Sequence, residues 1–520
     1  MAHRGLVVLA ATVALASSSC AYLARVNVTS QEVGASLPAT QFYDVSADGR
    51  FVAFATDAPL SPGDANETTD VYVRDTFAGT TERVSPDPGA LDPAISGSGR
   101  YVAFGFVADI AVHDRQLGTT TVLDVSGMSC GFGPATGYPN HPKLSDDGRH
   151  VVFQGTCTPN PGENWAAQFS LDRQTGAVRC VSCRANGTAG PTDSRSAEIS
   201  RDGRYIAFES NDDLLVAGDG NDTRDVFVRD RDTDADGTFD EVGSTSLVRV
   251  SVASDETESN GFSQVGGPPT GAGRFMVFES QADNLVPGAA GHHVYRRDLL
   301  LGTTALVSAT ANGTPADGGA AIVNTNETDH RRAASDDGRF VTFRSAATNL
   351  GPGGQLSAYV KDMVTGIVQR VSTSVLLAAA PTGVTVSSLS GDGRYVVFLT
   401  DSSLENTDQN GFSDLYLRSA VSPQFTGAVP TTIARGTAAQ VVLTGGGFFD
   451  LPGVPTVTID PAAGITVSGV TVLGPTQLRV TFSVAADAAT GGRTIAVRNQ
   501  GTGPGPSTGS IGFCACVTIT

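Results

Sequence analysis

The protein has 520 residues, and its 61 glycines and 26 prolines favour many short strands over long helices. A hydrophobic content of 40% with 17% charged residues excludes wholesale disorder. The net charge of -19 argues against a nucleic-acid-binding protein, because contact with phosphates requires a basic surface.

The N-terminus has the pattern of an export signal. His3 and Arg4 precede an apolar run over residues 6–16, and small residues follow it. The run is too short to span a bilayer, and no other segment approaches about 18 unbroken apolar residues. We therefore predict an export signal peptide over residues 1–21, no transmembrane segment after its removal, and a secreted or cell-envelope protein, either periplasmic or surface-located.

Cys20 leaves two forms of the mature N-terminus open. Cleavage after Ser19 would leave Cys20 as a lipid-bearing N-terminus and make the protein a lipoprotein. Cleavage after Ala21 would give plain secretion. Ser17 stands where bacterial lipoprotein signals normally carry Leu, which favours plain secretion.

Seven copies of one unit follow, each containing a Gly-Arg turn, written Ser-x-Asp-Gly-Arg in five of the copies, and an aromatic strand. Asp-Gly supplies the positive φ of a tight hairpin. A loop, an alternating third strand such as Asp70–Asp75 and a fourth strand such as Glu82–Ser85 complete a unit. The seven copies are Ser46–Phe54, Ser96–Phe104, Ser145–Phe153, Ser200–Phe208, Gly273–Phe278, Ser335–Phe343 and Ser390–Phe398.

The seventh unit lacks its own fourth strand. The sequence of Arg25–Ser30 matches that of a fourth strand in another unit, Arg249–Ser254. The mature N-terminus can therefore supply the missing strand and close a ring. Ring closure leaves only short, protected strand edges.

These units resemble the TolB-like, WD-repeat-like β-propeller repeats of exported bacterial proteins over residues 22–420. The resemblance implies an all-β, seven-bladed β-propeller closed by an N-terminal strand. It also implies that the Asp-Gly turn, the aromatic residue and the third-strand Asp are structural.

A second module follows Pro423, with alternating strands and Gly and Pro punctuation. These strands predict a small β-sandwich. Leu443–Phe448 and Ala485–Gly491 resemble the IPT/TIG immunoglobulin-like domain, which we expect over residues 424–513 as a spacer. Residues 514–520 are taken as a Cys-containing tail.

Six cysteines remain besides Cys20, an even number that suits disulfides in an oxidising compartment. Cys130, Cys157 and Cys183 fall in loops on one face of the third unit. A disulfide of Cys157 with Cys130 or with Cys183 is predicted, and both pairings stay open. Cys180 and Cys183 are not followed by a second CxxC, so we favour disulfides over zinc.

An acidic loop between the third and fourth strands of the fourth unit predicts a structural calcium site. Its carboxylates stand at positions 1, 3, 5 and 9, with Gly237 at position 6 and a backbone carbonyl at position 7, the pattern that wraps oxygens round Ca²⁺. The loop resembles the DxDxDGxxD loops of integrin-type propellers. The predicted ligands are Asp232, Asp234, Asp236, Thr238 and Asp240.

Three loops between second and third strands share the spacing Asp-x-Asn-x-x-x-Asp, at Asp64–Asp70, Asp219–Asp225 and Asp408–Asp414. Their Asp and Asn side chains suit turn capping without a ligand, with weak cation binding as the alternative. These loops and the connections between blades should form one acidic rim, which we expect to be the partner surface.

No catalytic motif is recognisable: there is no Gly-x-Ser-x-Gly, HExxH or Walker-type loop, and the histidines are scattered over different units. We therefore favour a non-enzymatic scaffold that binds a protein or glycan partner at the cell envelope. The alternative is a propeller hydrolase or lyase acting on a saccharide or lactone in the central channel. Carboxylates and His from three or more blades converging within about 5 Å on a channel pocket would favour the enzyme.

Overall fold

The computed structural model describes residues 23–31, 33–37, 39–131, 136–158, 163–322, 332–351, 354–372, 384–404, 408, 410–420, 423–448, 454–474, 476–499 and 511–520. The predicted signal peptide and Cys20 lie outside the described residues. The described chain is all-β and divides into two compact units, 23–420 and 423–520. No helix within these ranges has the length and apolar character needed to cross a membrane.

The first unit is built from seven antiparallel sheets, six with four strands and one with three in its described part. Blades 1 to 6 consist of successive strands from β2 to β24, and blade 7 consists of three strands and β1. The strands are β1 (Leu23–Arg25); β2 (Ala39–Val45), β3 (Phe51–Thr56), β4 (Asp70–Asp75), β5 (Thr80–Arg83); β6 (Ala90–Ile95), β7 (Tyr101–Phe106), β8 (Asp109–Asp114), β9 (Thr119–Val122); β10 (Thr136–Leu144), β11 (His150–Cys157), β12 (Trp165–Asp172), β13 (Ala177–Cys180); β14 (Ser194–Ile199), β15 (Tyr205–Ser210), β16 (Asp225–Asp230), β17 (Ser246–Arg249); β18 (Ser263–Val265), β19 (Phe275–Ser280), β20 (His293–Asp298), β21 (Thr303–Leu306); β22 (Phe340–Ser345), β23 (Ser357–Asp362), β24 (Val368–Arg370); β25 (Val384–Leu389), β26 (Tyr395–Thr400) and β27 (Asp414–Ser419).

The predicted seven-bladed propeller and its closure by the N-terminal strand are confirmed. β1 pairs antiparallel with β27, with Leu23 opposite Arg418 and Arg25 opposite Tyr416. The strand is shorter than the predicted 25–30, because the chain folds back after it and Val28 bridges Gly34.

The recurring Gly-Arg-aromatic sequence packs neighbouring blades together. Gly99 has a φ of 73°, and a Cβ added to it would lie 2.1 Å from the Phe51 ring of the preceding blade. Only glycine satisfies both conditions. The same contact recurs at all seven blade junctions, in the pairs Tyr395–Gly49, Phe51–Gly99, Tyr101–Gly148, His150–Gly203, Tyr205–Gly273, Phe275–Gly338 and Phe340–Gly393.

In six of the seven blades the motif arginine ties the turn to the end of the third strand. Arg50 donates through Nη2 to Asp75 at 2.6 Å, and its guanidinium lies 4.7 Å from the Phe51 ring centroid. Five further blades repeat this ion pair. The pairs are Arg100–Asp114, Arg149–Asp172, Arg204–Asp230, Arg274–Asp298 and Arg339–Asp362.

The hydrophobic core lies between the blades. One cluster joins Phe54 and Tyr72 of blade 1 to Tyr395 and Leu415 of blade 7, so the last junction is packed like the others. Burial of these apolar side chains is the main force that stabilises the ring.

The second unit is a β-sandwich. One sheet has the order β28-β30-β33-β32, the other β29-β35-β34-β31, and Leu478 and Ile495 bring the two sheets into one buried cluster. Its strands are β28 (Gln424–Val429), β29 (Thr432–Ile433), β30 (Ala438–Gly446), β31 (Thr456–Asp460), β32 (Ile465–Gly474), β33 (Gln477–Val484), β34 (Gly491–Arg498) and β35 (Ile511–Ile519).

The supposed tail is part of this sandwich. Residues 514–520 lie almost entirely within β35, which pairs with β34 and, in parallel, with β29. The alternating burial of Cys516 to Ile519 follows the two faces of a strand, a pattern too short to recognise in the sequence.

The cysteines form three disulfides. Cys130 is joined to Cys157 with an S–S distance of 2.01 Å, which is one of the two pairings left open by the sequence. Cys183 is joined to Cys180 instead, and Cys514 to Cys516. Cys130, Cys157 and Cys183 all lie in the core cluster between blades 2 and 3.

Candidate functional site

The propeller has two unlike faces. Backbone hydrogen bonds connect the Ser-x-Asp-Gly turns of neighbouring blades, for example from Ala47 N–H to the Gly97 carbonyl and from Asp392 N–H to the Ala47 carbonyl. We call this side the turn face. Because each blade is an antiparallel meander, the second-to-third-strand loops and the connections between blades lie on the opposite side, the loop face. This is the shared rim that the sequence predicts.

Arg201 closes the channel at the turn face. Its Nη1 donates to Asp146 of blade 3 at 2.8 Å, and its Nε donates to Asp336 of blade 6 at 2.6 Å. The guanidinium also fills the space beside Gly97 and Gly391, where an added Cβ would lie 1.7 and 2.1 Å from it. Blades 2, 6 and 7 are not neighbours of blade 4, so its side chain reaches them only across the central axis.

The electrostatics hold Arg201 charged. Burial opposes its charged form, but Asp336 and Asp146 outweigh burial and raise the pKa of Arg201. Arg332 also donates to Asp336, at 3.1 Å. This cluster was missed in the sequence, where the only signal is that the second residue of the repeated turn varies from blade to blade. That residue is Ala47, Gly97, Asp146, Arg201, Gly271, Asp336 or Gly391.

Polar side chains near the axis join neighbouring blades to each other. Glu209 is an example: burial raises its pKa to about 7, and it accepts the Val265 N–H of the next blade. Each junction has such a joint, and its chemistry varies around the ring. The joints are Asp44 with Ile95 N–H (2.9 Å), Asp92 with His141 (3.1 Å), Lys143 with Glu198 (3.5 Å), Glu209 with Val265 N–H (3.0 Å), Glu279 with Ile322 N–H (2.6 Å), Thr342 with Ser387 (2.9 Å) and Tyr43 with the Val397 carbonyl (3.3 Å).

Over the described ranges, acidic, His and Cys side chains from three blades do not converge. Only two groups of three such side chains bring their ligand atoms within 4.8 Å, and each belongs to blade 4 or the connection after it. The adjacent histidines also separate: His293 is buried against Ser308 at 3.0 Å, whereas His292 lies 3.6 Å from Glu279.

The first acidic group surrounds an arginine. Arg249 of β17 lies 2.9 Å from Asp219, 3.7 Å from Asp225 and 2.7 Å from Glu258. Burial, with Asp225 nearby, raises the pKa of Asp219 to about 7. The guanidinium already supplies the positive charge that a metal ion would bring.

The other two Asp-x-Asn loops have the same plan. Arg83 pairs with Asp70 at 2.7 Å in blade 1, and Arg25 lies between Asp408 and Asp414 in blade 7. The Asn residue of each loop caps a turn, and this interpretation is confirmed. The capping bonds run to Asn66 from Thr68 N–H, to Asn221 from Thr223 N–H and to Asn410 from Phe412 N–H.

The second acidic group is the predicted calcium loop. Asp232, Asp234 and Asp236 bring carboxylate oxygens within 4.8 Å of one another. Repulsion from Asp236 raises the pKa of the neighbouring Glu241, as expected where negative charge is concentrated. Asp240 instead faces Arg231, whose Nε lies 3.0 Å from it. Three of the four predicted carboxylates thus fit a cation, and the fourth serves an ion pair.

The loop face carries exposed acidic side chains. They project from the second-to-third-strand loops and the blade connections, where function is usually found on a rigid scaffold. The exposed acids include Asp57, Glu67, Asp87, Asp222, Asp283 and Asp401.

No family model and no curated protein matches this chain. Similar solved structures include an oligogalacturonate lyase in complex with manganese, with 12% identity and a TM-score of 0.45 over 78% of this chain and 96% of that one. The β-propeller domain of the Trilobed protease from Pyrococcus furiosus has 11% identity and a TM-score of 0.41 over 73% and 95%. A putative TolB from Agrobacterium tumefaciens has 15% identity and a TM-score of 0.34 over 65% and 94%.

Proposed function

We propose that this protein is an exported propeller scaffold that binds a protein or glycan partner through its loop face. The observation that carries the proposal is the contrast between the two ends of the ring. The axis is filled by joints between blades and closed at the turn face by Arg201, whereas the loop face exposes acidic side chains on loops of variable length.

The proposal also covers the cellular location of the protein and the role of the second unit. An export signal over residues 1–21 would deliver the chain to the cell envelope or the medium, with Cys20 as the point of attachment if it is lipidated. The sandwich, with its IPT/TIG-like sequence, would act as a spacer between the propeller and its surroundings.

The test compares two charge-matched triple variants of the intact protein. The loop-face variant is E67Q/D222N/D283N, and the control E241Q/D460N/D487N removes three exposed carboxylates elsewhere. Capture of a partner from envelope extract should be lost with the first variant and kept with the second. Equal capture by both would contradict a loop-face site.

The second candidate is a hydrolase or lyase acting on a saccharide or lactone in the channel. The observation in its favour is the pair of Asp92 and His141, a carboxylate 3.1 Å from an imidazole and contributed by two blades. Such a pair suits proton transfer. Under our proposal, purified protein should not turn over uronate oligosaccharides or lactones. Turnover that disappears in H141Q would replace the scaffold with the enzyme.

We also propose that Ca²⁺ binds the loop of Asp232, Asp234 and Asp236 and stabilises its hairpin. When bound, the ion would supply positive charge among carboxylates that otherwise repel one another. Asp232 holds the loop in shape, because its carboxylate accepts the N–H groups of Asp236 and Gly237.

A further inference from the structure

Blade 2 leaves a gap in the wall of loops around the loop face. Its second and third strands are joined by residues 107–108 alone, whereas the corresponding connections of blades 1 and 4 are 57–69 and 211–224. A groove of about 340 Å³ opens above this short turn, between the end of the blade 1 loop and the first strand of blade 3. We call it the blade 2 groove.

The walls of the groove are apolar and partly exposed. Leu91 is 45% exposed and Val107 is 77% exposed, and Pro88 and Phe106 line the groove beside them. Apolar side chains of this size at a concave surface lose contact with water when a ligand lies against them. This part of the groove suits the aliphatic portion of a ligand.

The polar groups of the groove are acidic or hydrogen-bond acceptors. Asp92 and Asp109 line it, and no basic side chain does among the described residues. One oxygen of Asp92 lies 3.1 Å from His141, while its Oδ1 and the side-chain oxygen of Asn140 are buried without a hydrogen-bond partner in the described part of the chain. Because these two oxygens expose almost no surface, they add negative potential beneath the groove, and the exposed Asp109 carboxylate is the charged group that a ligand can contact directly.

Val107 supports a binding role for the same groove. It has a φ of 57°, a left-handed conformation that is unfavourable for a β-branched residue and that glycine would adopt without strain. The chain keeps a large apolar side chain, almost fully exposed, at a position where stability alone favours glycine. Strain of this kind is common at ligand contacts.

We propose that the blade 2 groove binds a lysine or arginine side chain of an extended segment of a protein partner. The cationic head would pair with the exposed carboxylate of Asp109, close to the buried negative charge of Asp92, and the aliphatic stem would lie along Leu91 and Val107. Long basic side chains combine an apolar stem and a charged head in this way. The proposal rests on the loop-face function above and names the partner's chemistry.

The first test adds a competing cation to the groove. A fluorescein-labelled hexa-arginine peptide is titrated into the full-length protein and followed by anisotropy, with hexa-glutamate as the negative probe. L91R should weaken hexa-arginine binding at least about tenfold, because it places a fixed positive charge in the groove. L214R makes the same charge change at a 69% exposed leucine of the blade 4 loop and should change binding less than about twofold.

The outcomes separate this inference from the general proposal. Equal effects of L91R and L214R would mean that only the overall negative charge attracts the peptide. Absence of hexa-arginine binding would exclude a basic side chain as the ligand. Either result overturns the inference. Displacement of the peptide by a neutral oligosaccharide would overturn it as well. In each case, loss of partner capture in E67Q/D222N/D283N would still support a loop-face function.

A second variant tests the groove without a risk to folding. V107G removes the exposed side chain and relieves the backbone strain, so its melting temperature should equal or exceed that of the wild type. Its affinity for hexa-arginine should fall about fivefold through lost apolar contact. Unchanged affinity in V107G would contradict the placement of the ligand against Val107.

Discussion

Three buried cations hold neighbouring blades together at equivalent positions. Arg74, Arg297 and Lys361 each donate to a carbonyl oxygen of the segment that follows the outer strand of the preceding blade, at 3.2, 3.0 and 3.2 Å. Each segment folds back on itself through a single bridge. The bridges are Val28–Gly34, Val252–Glu258 and Ala309–Pro315.

Lys361 makes this joint sensitive to pH. Burial lowers its pKa to about 8 from a value of 10.5 in the unfolded chain. Between these two values the unfolded state binds more protons, so the contribution of Lys361 to the free energy of unfolding rises with pH. The stability difference between wild type and K361M should increase by about 1–3 kcal/mol from pH 7.5 to pH 10.5 in urea denaturation. A difference that stays constant would contradict the shift.

The calcium loop gives a second prediction for single residues. Titration calorimetry should detect Ca²⁺ binding with a dissociation constant of about 10⁻⁴ to 10⁻³ M, the range of extracellular modules. D232A and D236A should abolish it. D240N should retain it, because Asp240 faces Arg231. Equal loss in all three variants would instead favour Asp240 as a ligand, as the sequence predicts.

Among the secondary-structure elements, the short strand β1 is important for the stability of the ring. It has three residues, yet it completes blade 7 and places Arg25 between Asp408 and Asp414, at 3.3 and 3.6 Å. Burial of Asp414, with Asp408 beside it, raises its pKa to about 6. The strand therefore brings both hydrogen bonds and the positive charge that two buried carboxylates require.

We predict that R25A lowers the free energy of unfolding by about 3–5 kcal/mol, because it leaves buried carboxylates without a counter-charge. R179A, at an exposed arginine of β13, should change it by less than about 0.5 kcal/mol. Removal of residues 22–30 should lower the melting temperature further than R25A does. A truncated protein that melts like the wild type would show that β1 does not close the ring.

At the scale of the whole molecule, the ring is held by contacts across its centre as well as around its circumference. Arg201 joins blade 4 to blades 3 and 6 through Asp146 and Asp336. This contact couples parts of the propeller that are distant around the ring.

Loss of this central contact should destabilise the entire propeller. R201M should lower the free energy of unfolding by about 2 kcal/mol, since Asp146 would lose its counter-charge and Asp336 would keep only Arg332. Adding D146N to R201M should restore part of that loss, as measured by urea denaturation. R195M, at a half-exposed arginine of the same blade, is the control. No recovery in the double variant would show that packing, not charge, is the main contribution of Arg201.

The repeat could be recognised in the sequence because the residues that determine it lie close together in each copy. The Gly of each turn, the Arg after it and the aromatic residue next in line recur at fixed spacing, and each acts within one turn or against the neighbouring copy. The similarity of Arg25–Ser30 to the fourth strands of other units also predicted closure of the ring, because the residue pattern of a strand is a local feature of the sequence. Seven blades and their closing strand could therefore be predicted without coordinates.

Only the tertiary structure shows which residues at non-equivalent positions of different repeats come into contact. The two residues of each such pair are far apart in the sequence, as in Asp92 with His141 and Arg201 with Asp336. Each residue occupies a position that varies among the repeats, so no recurring spacing in the sequence predicts that the two will meet. Ligand geometry is of the same kind: Asp240 stands at the right spacing for Ca²⁺, but Arg231 is near enough to hold it. The blade 2 groove likewise follows from the short turn at residues 107–108 only once longer loops are seen on other blades around it. Spacing along the chain determines which local structure forms, whereas the distances on which charge pairing and binding depend are set by the closure of the ring.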